Sequence, residues 1–204
     1  MLLEARRISK FYPGVKALNS VDFSINAGEV VAVVGENGAG KSTLMKILAG
    51  AIEPNEGELY LDSNPVEFDG PLDAQRHGIC TIYQELMIVP ELSVVENVFL
   101  GHLKKKGIFL DWNTMRKEAQ GILSRLGLTA SLDAKAGDLS VAEQQLIEIA
   151  KSMSRKSRLL IMDEPTASLS KDEVASLFEL VHSLKEEGIA AVSYTHLRAH
   201  ETDR

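Results

Sequence analysis

The chain has 204 residues, with 22 Lys or Arg against 29 Asp or Glu, for a formal charge of −7. A hydrophobic fraction of 45% beside 25% charged residues suits a globular protein able to bury a full core, which excludes disorder and collagen-like repeats and predicts one compact unit. The acidic balance argues against a protein that coats nucleic acid or an anionic bilayer, and the single cysteine, Cys80, excludes an intrachain disulfide or a cysteine metal cluster and points to a reducing, cytoplasmic setting.

Glu4, Arg6, Arg7 and Lys10 interrupt the apolar stretch a signal peptide needs. No apolar run approaches the roughly 20 residues that cross a bilayer, so any membrane link is expected to run through a partner. Leu2 to Ile8 and Val21 to Ile25 read as strands around the turn residues Tyr12-Pro13-Gly14. The continuous β-branched run Val30 to Val34, ahead of Gly35, predicts a parallel-sheet strand buried on both faces. A helix is expected from Lys41, with Leu44, Ile47 and Leu48 on one face and Gly50 as its C-cap. Gly57 to Leu61 and Val66 to Phe68 read as short strands around Asp62-Ser-Asn-Pro65.

The pattern turns helical over Val94 to Leu100, Asn113 to Leu126 and Val141 to Ser154, the last with Leu146, Ile149 and Ala150 on one face. A strand returns at Leu159 to Met162 and runs into Asp163-Glu164. A helix over Lys171 to Leu184 and a strand over Ile189 to Tyr194 follow. Together these elements predict an α/β core with a helical subdomain. Lys104-Lys105-Lys106 reads as a solvated loop, Trp112 as a packing aromatic, and His77, His102 and His182 lack metal-ligand spacing.

Gly35-Glu36-Asn37-Gly38-Ala39-Gly40-Lys41-Ser42 fits GxxxxGK[ST] and lies between a strand and a helix, the context that motif requires. Glycines let the backbone N–H groups turn inward around phosphates, and the helix N-terminus adds its positive end. Lys41 neutralises the β and γ oxygens, Ser42 ligates Mg²⁺, and Thr43 completes the nucleotide-binding set. The strand ending at Asp163-Glu164 carries two acids to the carboxyl edge of the sheet, where the phosphate loop opens. Asp163 is the expected Mg²⁺ holder through water, and Glu164 the general base for the attacking water. The bland alternative, an aspartate that only caps the next helix, loses ground because the phosphate loop is present.

Leu139-Ser140-Val141-Ala142-Glu143-Gln144-Gln145, beginning 24 residues before Asp163, resembles the LSGGQ signature of the ATP-binding cassette (ABC) ATPases. Val141 and Ala142 stand where that family has glycines, and Glu143 replaces its glutamine. Ser140 has two readings, a helix N-cap or a hydroxyl that reaches the γ-phosphate held by another cassette. The resemblance makes Gln84 in Tyr83-Gln84-Glu85 the Q-loop residue, a further Mg²⁺ contact. It makes Tyr12 an adenine-stacking aromatic padded by Val15, and His196 the H-loop histidine; Ser168-Leu169-Ser170 occupies the D-loop place without its aspartate.

The stretches Ile8 to Leu18, Gly35 to Met45, Tyr83 to Leu86, Pro90 to Val94 and Ile147-Glu-Ile-Ala-Lys151 are similar to the monosaccharide-importer branch, of the ribose, galactose and xylose kind. That likeness implies a P-loop NTPase (RecA-like) core with an N-terminal antiparallel β subdomain and a helical signature subdomain at about 86–155. It further implies ATP and Mg²⁺, a second cassette, a membrane permease fed by a periplasmic sugar-binding protein, no nucleic acid, and a place on the cytoplasmic face of the bacterial inner membrane. The cassette is expected over 1–190, incomplete at its C-terminus, with 191–204 a non-native tail in which no helical or strand continuation has a clear apolar face. The competing readings are a soluble cassette ATPase acting on ribosome or chromosome, which would want a basic surface or coiled-coil insert, and an inactive fragment of the importer ATPase.

Overall fold

The computed structural model describes residues 1–83, 86–163, 181–182 and 184–196. These fall into two units: residues 1–83, 158–163 and 181–196 form one, and 86–157 form the other.

In the first unit, β1 (Leu3–Tyr12) and β2 (Val15–Ile25) make an antiparallel hairpin. β1 also pairs with β4 (Glu56–Leu61), and β4 with β5 (Asn64–Val66), giving the order β2-β1-β4-β5. The hairpin strands outrun the apolar pattern because pairing, not burial, holds their ends: Tyr12 and Val15 face each other in register while both stay exposed. β5 lies two residues earlier than the apolar pattern places it, because Asn64 and Pro65 complete the pairing with Leu61 and Tyr60; Phe68 is buried beyond the strand.

A second sheet is wholly parallel, with β3 (Val30–Gly35), β10 (Ala190–His196), β9 (Leu159–Asp163) and β6 (Ile79–Ile82) in that order. β6 and the short helix α2 (Pro71–Arg76) have no forecast in the sequence pattern. Helix α1 (Lys41–Leu48) buries Leu44, Met45, Ile47 and Leu48 in a core shared with Leu3, Ile8, Ile25, Ile161 and Val192. At roughly 1.5–3 kcal/mol for each fully buried large apolar side chain, this is the main stabilisation of the unit.

Three expectations need correction. β3 is not buried on both faces: exposure alternates along it, Val31 and Val33 packing on the core while Val30 and Val34 stay 42% and 60% exposed. Among the described residues it ends the sheet, and the two-sided burial belongs to β9 and β10, where Leu159, Leu160, Ile161, Ala190, Ala191 and Val192 are fully enclosed. The C-cap of α1 is Ala49; Gly50 follows it at φ 68° and donates its N–H to the Ile47 carbonyl. The strand expected over Ile189 to Tyr194 is β10, and it runs on through His196, in register with β3 and β9, inside the stretch 191–204 read as a tail; Ala190, Ala191, Val192 and Tyr194 are apolar enough to be buried there. The expected helix over Lys171 to Leu184 lies mostly outside the described residues.

In the second unit, α3 (Val94–Val98), α4 (Trp112–Arg125) and α5 (Val141–Ser154) pack on one another around Phe99, Met115, Leu123 and Ile147. α3 opens with a capping box in which Ser93 and Glu96 satisfy each other's backbone N–H. A two-stranded ribbon, β7 (Lys105–Lys106) and β8 (Phe109–Leu110), separates α3 from α4. Trp112, read as a packing aromatic, stands at the start of α4 with 38% of its surface exposed.

Candidate nucleotide site

The phosphate loop leaves β3 at Gly35 and enters α1 at Lys41. A turn closes when Ala39 N–H donates to Glu36 carbonyl at 3.2 Å, and the first helical bond runs from Leu44 N–H to Gly40 carbonyl at 2.9 Å. Gly40 sits at φ 88°, and a Cβ there would meet the Ala17 carbonyl oxygen at 2.4 Å and Leu18 Cδ2 at 2.8 Å. The loop is therefore drawn tight against β2, and only glycine fits.

Lys41 is 6% exposed, and its ammonium donates to the carbonyls of Gly35 at 2.6 Å and Glu36 at 2.9 Å. A cation held on carbonyl oxygens at a helix N-terminus can be transferred to the oxygens of a bound phosphate. Glu36, Asn37, Gly38 and Ala39 are exposed, and Ser42 and Thr43 half-buried in the first turn of α1.

The parallel register sets the rest of the site. His196 is the β10 partner of Gly35, and Asp163 is the β9 partner of Tyr194, two positions from the end of β10. The backbone thus brings the start of the phosphate loop, His196 and Asp163 to the carboxyl ends of three adjacent strands. Glu164, Gln84 and Ser168-Leu169-Ser170 lie outside the described residues. Tyr12, 43% exposed with the Lys10 ammonium 5.8 Å from its ring centroid, and Val15, 62% exposed, form the tip of the hairpin whose second strand touches Gly40. Among the described residues no group of three or more His, Cys, Asp or Glu could hold a metal ion. The residue set fits a hard cation bound largely through phosphate oxygens, water and the Ser42 hydroxyl, rather than a protein cage.

In the helical unit, Ser140 is the N-cap of α5, in a capping box with Glu143. Its hydroxyl accepts from Glu143 N–H at 3.3 Å and donates to the Glu143 carboxylate at 2.8 Å, while Ser140 N–H donates to the same carboxylate at 2.9 Å. This gives Glu143, a departure from the family pattern, a local role. Gln144 donates to the carbonyls of Ala136 and Leu139, fastening the preceding loop. Leu139, Val141 and Ala142 lie on either side of that cap, with Val141 48% exposed.

Three residues that sequence reasoning missed hold the segment following Gln84-Glu85. Met87 N–H donates to Glu148 Oε1 at 2.8 Å, and Lys151 Nζ donates to the Met87 carbonyl at 3.2 Å. Buried Asn97 exchanges hydrogen bonds with both backbone groups of Val89 and also donates to the Leu92 and Ser93 carbonyls. Burial pushes the Glu148 carboxyl up and the Lys151 ammonium down, and Glu148 Oε2 is enclosed without a hydrogen-bond partner. The only signal was a Glu and a Lys three residues apart on the otherwise apolar Ile147–Lys151 stretch.

A family profile described as ABC transporter matches residues 18–167. The ribose import ATP-binding protein RbsA 1 of Rubrobacter xylanophilus is 49% identical over 195 residues, covering 96% of this chain and 39% of that protein. The xylose import ATP-binding protein XylG of Geobacillus kaustophilus is 43% identical over 197 residues, with 96% and 39% covered. The chain spans about two fifths of the length of the curated relatives it matches. Among solved structures, the ADP conformation of MJ1267, an ATP-binding cassette of an ABC transporter, superposes with a TM-score of 0.85 at 29% identity, covering 97% of this chain and 82% of that one. A family match across most of the chain, with relatives 43% and 49% identical over the aligned stretch, makes this protein a member of the ABC transporter family, among its ATP-binding cassettes.

Proposed function

We propose that the chain is the ATP-binding and ATP-hydrolysing part of a bacterial importer, coupling hydrolysis to uptake of a monosaccharide through a membrane permease. The observation that carries this reading is the Lys41 ammonium held on the Gly35 and Glu36 carbonyls, at the sheet edge where β9 and β10 deliver Asp163 and His196. The names of the relatives, import ATP-binding proteins for ribose and for xylose, supply the sugar class.

Lys41 exchanges its two carbonyls for the β and γ oxygens, and loop N–H groups from Gly35 to Thr43 complete the cradle. Tyr12 stacks on the adenine, with Val15 beside it. Ser42, Gln84 and Asp163 would hold Mg²⁺, which would neutralise phosphate charge there. Glu164 takes the proton of the attacking water, and His196 contacts the γ-phosphate.

The segment from Leu139 to Gln144 serves the nucleotide of a second cassette. The dimeric structure of MJ0796 bound to ADP and Pi, 26% identical with a TM-score of 0.77 over 96% of this chain and 88% of that one, supports such pairing. A periplasmic sugar-binding protein feeds the permease, and the cassette works at the cytoplasmic face of the inner membrane. The test is paired. Lys41→Ala is expected to weaken nucleotide binding by about 10- to 100-fold, the loss of a charge-assisted contact. Glu164→Gln should keep binding and stop hydrolysis. Nucleotide titration and phosphate release measure both; equal loss of binding in the two variants overturns these roles, and no ATP-driven pentose or hexose uptake with the permease in vesicles overturns the importer.

A further inference from the structure

All four strand residues of the β7–β8 ribbon are exposed, Phe109 at 73% and Leu110 at 37%. Lys105 pairs with Leu110 and Lys106 with Phe109, so each face of the ribbon presents a lysine beside an apolar side chain. At the tip Ile108 is 89% exposed and Phe109 73%. Leu103, Leu110 and Trp112 are exposed as well, which makes five large apolar side chains within ten residues rather than the scattered single ones normal on a surface. The charges nearby are already sorted. Lys104 is ion-paired with Glu118 and lies over the Phe99 ring. Asp111 caps α4, accepting from Thr114 N–H at 3.1 Å and Thr114 Oγ1 at 2.8 Å. Lys105 and Lys106 stay exposed.

We propose that this hairpin touches an anionic lipid surface directly, Ile108, Phe109 and Trp112 entering the interfacial layer while Lys105 and Lys106 bind the phosphate headgroups. Two arguments select lipid over a protein partner. A ribbon of six residues cannot supply the roughly 800 Å² that each side of a specific protein interface contributes, whereas a bilayer needs no shape complementarity. The charge also matches: on a chain of net −7 the patch offers cations and aromatics together, the pairing that suits the headgroup boundary. The whole-chain charge therefore argues against a bilayer contact only on average. Each lysine near an anionic surface favours binding on the order of fivefold, an effect that salt screens.

Trp112 is the sole tryptophan and reports the contact by its own fluorescence. The experiment mixes the full chain with protein-free vesicles, either phosphatidylcholine alone or phosphatidylcholine with phosphatidylglycerol. A blue shift of Trp112 and co-sedimentation with the anionic vesicles, weakened by salt, are expected. Lys105→Glu/Lys106→Glu should cut this binding more than about tenfold, and Ile108→Ser/Phe109→Ser should cut it at low and high salt alike. Both variants alter exposed side chains, so their thermal unfolding should match the parent's. Absence of any shift, equal binding to neutral vesicles, or binding unchanged in both variants overturns the proposal. So does self-association abolished by Ile108→Ser/Phe109→Ser without vesicle binding, which assigns the patch to a second copy.

Discussion

At Gly40 a single hydrogen decides whether the phosphate loop can form. A methyl group there would stand 2.4 Å from the Ala17 carbonyl oxygen on a residue at φ 88°, so backbone and strand would both have to shift. Gly40→Ala is expected to cost about 1–3 kcal/mol in stability and to weaken nucleotide binding, read by denaturant unfolding and nucleotide titration. An unchanged midpoint would mean that the loop is not seated on β2. Ser140 teaches a different lesson at the same scale. Its residue type permits a cap or a ligand, and the structure shows the cap fully made, with Glu143 reciprocating. Ser140→Ala should therefore lower stability by about 1 kcal/mol even without nucleotide, measured on the same unfolding curves.

Among the described helices, α5 packs against both α3 and α4, and its C-terminal end includes a titrating contact. His102 Nε2 lies 2.7 Å from Ser154 Oγ, and Arg155 Nε donates to His102 Nδ1 at 3.1 Å. Burial, reinforced by the Arg155 charge, pushes the imidazole down to about 4. The unfolded chain takes up this proton near pH 6.5 and the folded one resists it, so stability is full above pH 6.5 and falls as pH drops toward 4. Because the ring is half exposed, solvent screening should hold the loss to ~1–2 kcal/mol. Glu148 works in the opposite sense: its raised carboxyl makes the fold more stable as pH falls toward the ordinary carboxylate range. The difference between the parent and His102→Gln isolates the histidine, and identical pH profiles for the two would refute its role. The three helices lay within a residue or two of their sequence-expected starts because a 3.6-residue period over two or more turns is a local signal. β7 and β8, two residues each, carry no period at all, and β6, four residues long, is recognisable only beside β9.

For the whole molecule the decisive property is which strand lies where in the parallel sheet. β3 ends the described sheet with Val30 and Val34 exposed, an edge that invites pairing with another chain. Val30→Thr/Val34→Thr keeps β-branched strand residues and is expected to lower light scattering of concentrated 204-residue chain without lowering its unfolding midpoint; unchanged scattering would clear this edge. The phosphate loop, the acidic strand end and the long helices were determined by the sequence alone, because each is specified by residues within one or two turns of one another. Tertiary structure decided the rest. Val30 to Val34 and Leu159 to Met162 are equally apolar runs, yet only the second is enclosed on both faces, since enclosure depends on neighbours contributed from far along the chain. For the same reason Glu148 could not be singled out in advance: its partner, the Met87 N–H, lies 61 residues away, and only the folded chain brings them to hydrogen-bonding distance.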